Sequence, residues 1–196
     1  CDFVRCYTGT SGGAFNFPGT CSYMKAEYCN LIDCSAGLNG GAIEYYASNS
    51  VIDHCTFIGN HITGTGDSGR SDGNFGGAIV LFMRSYNTNI TNCDFYGNYI
   101  PVTMPQIYCA GGAIGIPDRE NEYINVINCS FVNNHADSSG GAVYLSSGGS
   151  IVNCTFILFL ELFPIHINSF VSSSTGISLL SECSFIKDNF SLFVKI

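Results

Sequence analysis

Apolar residues recur along this chain in short runs, with polar turn residues between them. Val51-Ile52-Asp53-His54-Cys55-Thr56-Phe57 is one such run: β-branched, and too short for a helix. Runs of this kind return at a recognisable marker, Cys-x-Phe or Cys-x-Leu, which begins at Cys1, Cys29, Cys55, Cys93, Cys129, Cys154 and Cys183. An apolar residue precedes the cysteine by three in the later copies (Ile52, Ile90, Val126, Ile151, Leu180). A polar residue stands just before it (His54, Asn92, Asn128, Asn153, Glu182) and predicts a bend. Cys and Phe, two apart on a strand, point the same way and enter the core.

A second marker alternates with the first. Gly-Gly-Ala followed by an apolar residue begins at Gly12, Gly40, Gly76, Gly111 and Gly140. The Gly pair predicts a turn with at least one residue at positive φ. The Ala predicts a strand entry too tight for a larger side chain. An Asn three after the Phe closes three of the repeats, at Asn60, Asn98 and Asn134. Successive marker cysteines are 25 to 38 residues apart, a scatter that suits fixed strands joined by variable loops.

The predicted fold is therefore all-β: a parallel β-helix of about seven coils, with like residues stacked on like. Coils spaced about 4.8 Å apart make a rod of roughly 30–35 Å. Stacking buries a core that no single coil could enclose. Residues 1–196 read as one segment, regular to about 155 and degenerate from 156 to 196, and as a portion of something longer. The composition agrees: 46% of residues are hydrophobic, 11% charged, and 23 are Gly. The net charge of −8, with seven Lys and Arg scattered along the chain, argues against nucleic acid as a partner. The greasiest stretch, Phe156 to Ile165, contains Glu161 and Pro164. It falls short of the roughly 20 apolar residues of a transmembrane span.

Gly-Gly-Ala-Ile at 40, 76 and 111, its Val variant at 140, and Phe-x-x-Asn at Phe57/Asn60, Phe95/Asn98 and Phe131/Asn134 resemble the repeats of the chlamydial polymorphic outer membrane proteins and related adhesin-like surface proteins. The resemblance covers residues 1 to about 155. It implies a right-handed parallel β-helix displayed on a cell surface or secreted, non-catalytic, and engaged in adhesion or display. Its partner would be a cell-surface protein or glycan. Two other readings compete: a structural subunit of an extracellular filament or coat, joined through open β-helix ends, and a polysaccharide lyase- or hydrolase-like enzyme. The enzyme needs carboxylates gathered on one patch. Asp53 and Asp94 fall in different registers, and the expectation is that the carboxylates form no column. No cofactor is expected.

Four sets of residues carry candidate chemistry. Long loops after Asn60 and Asn98 predict one lateral protrusion, with Asp67, Arg70, Asp72, Asn74, Met104 and Tyr108 as candidate binding residues. Cys6 and Cys34 replace the closing Asn in the first two coils and form a candidate disulfide; the seven marker cysteines read as packed free thiols, because stacked Cβ vectors run parallel. Sequons at Asn89, Asn128, Asn153 and Asn189 are candidate glycosylation sites. His61 and His135 lie two coils, about 9.6 Å, apart, too far to share one metal, and no metal site is expected.

Overall fold

The computed structural model describes residues 1–17, 21–64, 73–82, 85–101, 108–118, 121, 123–146, 149–158, 171–173, 179–181, 183–187 and 190–194. Among these the chain is a parallel β-helix. Each coil visits three main walls and a shorter fourth.

The phenylalanine wall stacks Asp2–Val4, Asn30–Ile32, Thr56–Ile58, Asp94–Tyr96, Ser130–Val132, Thr155–Leu158 and Cys183–Lys187. Phe190–Val194 adds to its last strand, antiparallel. The short wall stacks Tyr7–Thr8, Ser35–Ala36, His61–Ile62, Tyr99–Ile100 and His135–Ala136. The glycine wall, entered from each Gly-Gly-Ala, stacks Phe15–Phe17, Ile43–Tyr45, Ile79–Leu81, Ile114–Ile116, Val143–Leu145 and Val171–Ser173. The isoleucine wall stacks Lys25–Glu27, Ser50–Asp53, Thr88–Thr91, Ile124–Ile127, Gly149–Val152 and Leu179–Ser181. All pairs within these walls other than the terminal hairpin are parallel and in register, so Phe57 pairs with Phe95 and Phe95 with Phe131.

The predicted ladders are present. Phe57, Phe95, Phe131 and Phe156 are buried, with ring centroids 4.8 Å apart and planes within 5° of parallel. That spacing is the strand spacing itself. Ile52, Ile90, Val126 and Ile151 stack in the isoleucine wall, and the inward residues of the glycine wall close the same core. Each buried Phe or Ile is worth about 1.5–3 kcal/mol of transfer free energy.

Corners are set by the residues that precede the strands. Tyr28, His54, Asn92, Asn128 and Asn153, each just before a marker cysteine, adopt φ of 50° to 56°. The first Gly of each Gly-Gly pair has φ of 55° to 74°. The second Gly answers to space rather than to φ, because the glycine and short walls close on each other there. A Cβ at Gly41 would sit 2.6 Å from the His61 backbone nitrogen and against the Gly77 carbonyl.

The long loops depart from expectation. Asn74–Phe75 pairs in parallel with Cys109–Ala110, directly ahead of the Gly-Gly turns. Phe75, Val80, Phe82, Ala110 and Tyr144 form a second buried cluster, with Tyr46 packed against it. Val80 and Tyr144 alternate with inward-facing neighbours, so this cluster lies on the outer face of the glycine wall. The described ends of both loops thus fold back over the rod; a wholly protruding pair of loops is corrected to that extent.

Candidate functional site

Three surfaces and one buried corner bring chemistry-bearing groups together. The first surface lies where the two loops return. Tyr108 is exposed and packs on Phe75 and Tyr144, with centroids 6.1 and 5.8 Å away. Asn74 is buried, and its backbone nitrogen donates to the Tyr108 carbonyl at 2.9 Å, so it supports the patch instead of presenting a side chain. The candidates Asp67, Arg70, Asp72 and Met104 lie outside the described residues. The backbone pairing around Asn74 explains the burial: a parallel partner at Cys109 draws it against the rod.

The second surface is the outer face of the short wall, where Tyr7, Ser35, His61, Tyr99 and His135 stand in one register. His61 and Tyr99 stack at 4.8 Å with planes 5° apart. His135 pairs with Asp137 through Nε2 at 2.7 Å. Parallel stacking along the rod hides ring faces and leaves edges outward. Each histidine begins a strand of this wall, His61 against the Tyr99 ring and His135 against the Asp137 carboxylate.

The third surface carries a carboxylate pair that corrects the expectation of no column. Glu27 and Asp53 are Cα partners on neighbouring coils, each two residues before a marker cysteine. Each carboxylate is already engaged. Glu27 pairs with Lys25 Nζ at 2.8 Å, and Asp53 receives hydrogen bonds from Thr91, from Asn92 Nδ2 at 2.8 Å and from His54 Nδ1 at 2.7 Å. Burial would raise the Asp53 carboxyl, but the bonds from Thr91, His54 and Asn92 outweigh it and hold the group at about 2. Among the described residues no group of three His, Cys, Asp or Glu is placed to hold a metal ion.

The sequons occupy two settings. Asn128 and Asn153 are exposed at corners and form an amide ladder with Asn92, in which Asn153 Nδ2 donates to Asn128 Oδ1 at 3.1 Å. Asn89 is half-buried in the isoleucine wall and accepts from Asn125 Nδ2 at 2.9 Å. Asn189 lies outside the described residues.

The buried corner joins the phenylalanine and short walls, and its column runs Cys6, Cys34, Asn60, Asn98, Asn134. Asn60 accepts at Oδ1 from the Cys34 backbone nitrogen (3.0 Å) and donates from Nδ2 to the Leu31 carbonyl (2.9 Å). Asn98 and Asn134 repeat both bonds one coil further on. All eleven cysteines are free thiols, Cys6 and Cys34 included. The marker cysteines form their own column, buried from Cys55 onward, and from Cys29 to Cys183 each thiol donates to the carbonyl two residues earlier, as Cys93 Sγ does to Thr91 at 3.0 Å. Hydrogen bonding to the neighbouring sulfurs and then burial push the Cys129 thiol far above its ordinary range.

Residues 128–146 match the Chlamydia polymorphic membrane protein repeat. No curated protein and no solved structure matches the chain. The matched stretch holds the corner Asn128, the core Cys129 and Phe131, the ladder Asn134 and the turn at Gly140-Gly141. Of these, Cys129, Phe131 and Asn134 face inward, and Asn128 and Gly140 make the corners of the coil at positive φ.

Proposed function

We propose that the chain is a non-catalytic β-helix of a cell surface, displaying its outer faces for adhesion. The observation that carries this reading is the polymorphic membrane protein repeat at 128–146, set in a stack whose motif residues point inward. Variation is then free on the outside, and the loops of the third and fourth coils use it. They bring Tyr108 to the surface above Phe75 and Tyr144. Loops held on a rigid scaffold are common carriers of recognition. The fitting partner is a cell-surface protein or glycan, because an acidic chain with few basic groups is a poor ligand for phosphate-rich surfaces. The engaged state of Glu27 and Asp53 supports the non-catalytic part of the reading.

Beads coated with the protein test this directly. They should bind host-type cells, and a variant carrying Tyr108→Ala with residues 65–72 and 102–107 replaced by short Gly-Ser linkers should lose that binding while keeping its β-sheet circular dichroism. Binding that survives the loop replacement would refute the reading. So would release of sugar fragments from polysaccharide that stops on Asp53→Asn.

A further inference from the structure

The buried corner places Cys6 and Cys34 in one column with the ladder asparagines. Along that column each Asn reaches back one coil to a carbonyl of the phenylalanine wall: Asn60 to Leu31, Asn98 to Phe57, Asn134 to Phe95. Cys34 makes the same reach with sulfur, its Sγ lying 3.4 Å from the Phe3 carbonyl of the first coil. In that coil Cys6 occupies the same corner position, and the Ser35 backbone nitrogen donates to the Cys6 carbonyl at 2.8 Å.

The pair is isolated. On its other side the next residue of the column is Asn60, whose Oδ1 accepts from the Cys34 backbone nitrogen, so the column offers Cys34 a cysteine on one side only. Cys29, in the marker column, instead stands between Cys1 and Cys55. Both Cys6 and Cys34 fall between strands, where the backbone can tilt to bring Cβ atoms from the stacking distance of about 4.8 Å toward the roughly 3.8 Å of a disulfide. Cys6 is half-buried and reachable by a small reagent, whereas Cys34 is fully buried.

We propose that Cys6 and Cys34 form an intrachain disulfide that continues the asparagine chain covalently and ties the first coil to the second. The oxidant is a small-molecule disulfide. The Cys6 thiolate attacks one of its sulfurs, forming a mixed disulfide and releasing one thiolate. Cys34 then attacks Cys6 Sγ and expels the second thiolate, which takes up the Cys34 proton. The two cysteines lose two electrons, and the reagent disulfide takes them up as two thiols. Burial pushes the Cys34 thiol up to about 11, so it stays protonated and the first attack on the reagent falls to Cys6.

The test equilibrates the full chain with oxidised and reduced glutathione, alkylates it without reductant, and maps chymotryptic and Glu-C peptides by mass. Cleavage at Phe15 and Phe17 separates Cys6 from Cys21, and cleavage at Glu27 and Asp33 separates Cys34 from Cys29. The expected result is an intact mass, read before alkylation, lower by about 2 Da, the two hydrogens lost, and one peptide pair joining Cys6 to Cys34. Recovery of both as alkylated thiols would overturn the proposal, as would a cross-link at Cys1 and Cys29 in its place. Cys34→Asn restores the ladder residue and should fold, lose the mass change and leave Cys6 open to alkylation. An unchanged mass loss in that variant would equally overturn it.

Discussion

Replacing Asn98 by Ala tests whether the buried asparagine chain holds the coils together. Asn98 Oδ1 accepts from the Asn60 backbone nitrogen at 3.0 Å and from Asn60 Nδ2 at 2.9 Å; its own Nδ2 donates to the Phe57 carbonyl at 3.0 Å and to Asn134 Oδ1 at 2.9 Å. Alanine removes all four. Asn60 Nδ2 keeps the Leu31 carbonyl, and Asn134 Oδ1 keeps the Asn98 backbone nitrogen. The Asn60 backbone nitrogen loses this partner at a site fully shielded from water. An unsatisfied buried donor costs about 1–3 kcal/mol, and the weakened bonds beside it add roughly 1 kcal/mol more. The expected loss is about 3 kcal/mol in urea unfolding followed by circular dichroism. Asn125→Ala, which removes the bonds to Asn89 and from Ser150 Oγ on the half-buried outer face where water can replace them, should cost less than about 1 kcal/mol. Equal losses in the two variants would refute the idea that the inner chain carries the coupling. Asn98→Asp adds a check of sign. A carboxylate there faces the Phe57 and Asn134 oxygens, so its folded pKa is raised and the variant should regain stability as pH falls through that value.

Gly77→Ala should cost more than about 3 kcal/mol or abolish folding, since its Cβ would lie 2.8 Å from the Tyr99 nitrogen and against the Gly112 carbonyl. Gly97→Ala, at φ 58° with nothing within 4 Å of the added Cβ, should cost only the left-handed backbone penalty of about 1–2 kcal/mol; thermal melts of the two variants separate crowding from φ. Phe95→Ala interrupts the ring stack between Phe57 and Phe131 and should cost about 3–5 kcal/mol, measured as a lowered urea midpoint. Asp53 has a depressed folded pKa of about 2, so its contribution is present above the unfolded value of 3.8 and lost as pH falls through 2. Asp53→Asn should therefore flatten the acid limb of stability between those two values, by no more than about 2 kcal/mol after solvent screening.

What the sequence disclosed follows from where the stack imposes identity. An inward position must match its neighbours one strand spacing away, so Phe falls on Phe at 57, 95, 131 and 156, and Asn on Asn at 60, 98 and 134. Such positions repeat and can be read. Outward positions meet only solvent and the residue above, so their order carries little signal. The stack of His61 on Tyr99 was missed for that reason. Glu27 and Asp53 were legible, because both precede a marker cysteine by two, but aligning carboxylates on Asp53 and Asp94 obscured it. The outer cluster of Phe75, Phe82 and Tyr144 had no periodic trace, since the outward register of the glycine wall runs Glu44, Val80, Gly115, Tyr144 with no residue type repeated.

The same division locates function in the molecule. Coils joined at every inward position tolerate little change there, as the crowding at Gly41 and Gly77 shows. The largest insertions of the third and fourth coils fall where the backbone leaves the stack between the short wall and the Gly-Gly turn, while the link from the glycine wall to the isoleucine wall varies less, from 3 to 7 residues. Insertion there is limited by one condition: the chain must return in register for the next glycine pair. The pairing of Asn74–Phe75 with Cys109–Ala110 meets it by restoring a parallel bridge just ahead of the turn. Two adjacent coils have used this opening, and their returning ends share one aromatic cluster on the glycine wall. The described ends of these insertions support each other there, and Tyr108 stands exposed at the edge of the cluster, the position the proposed adhesive role would use.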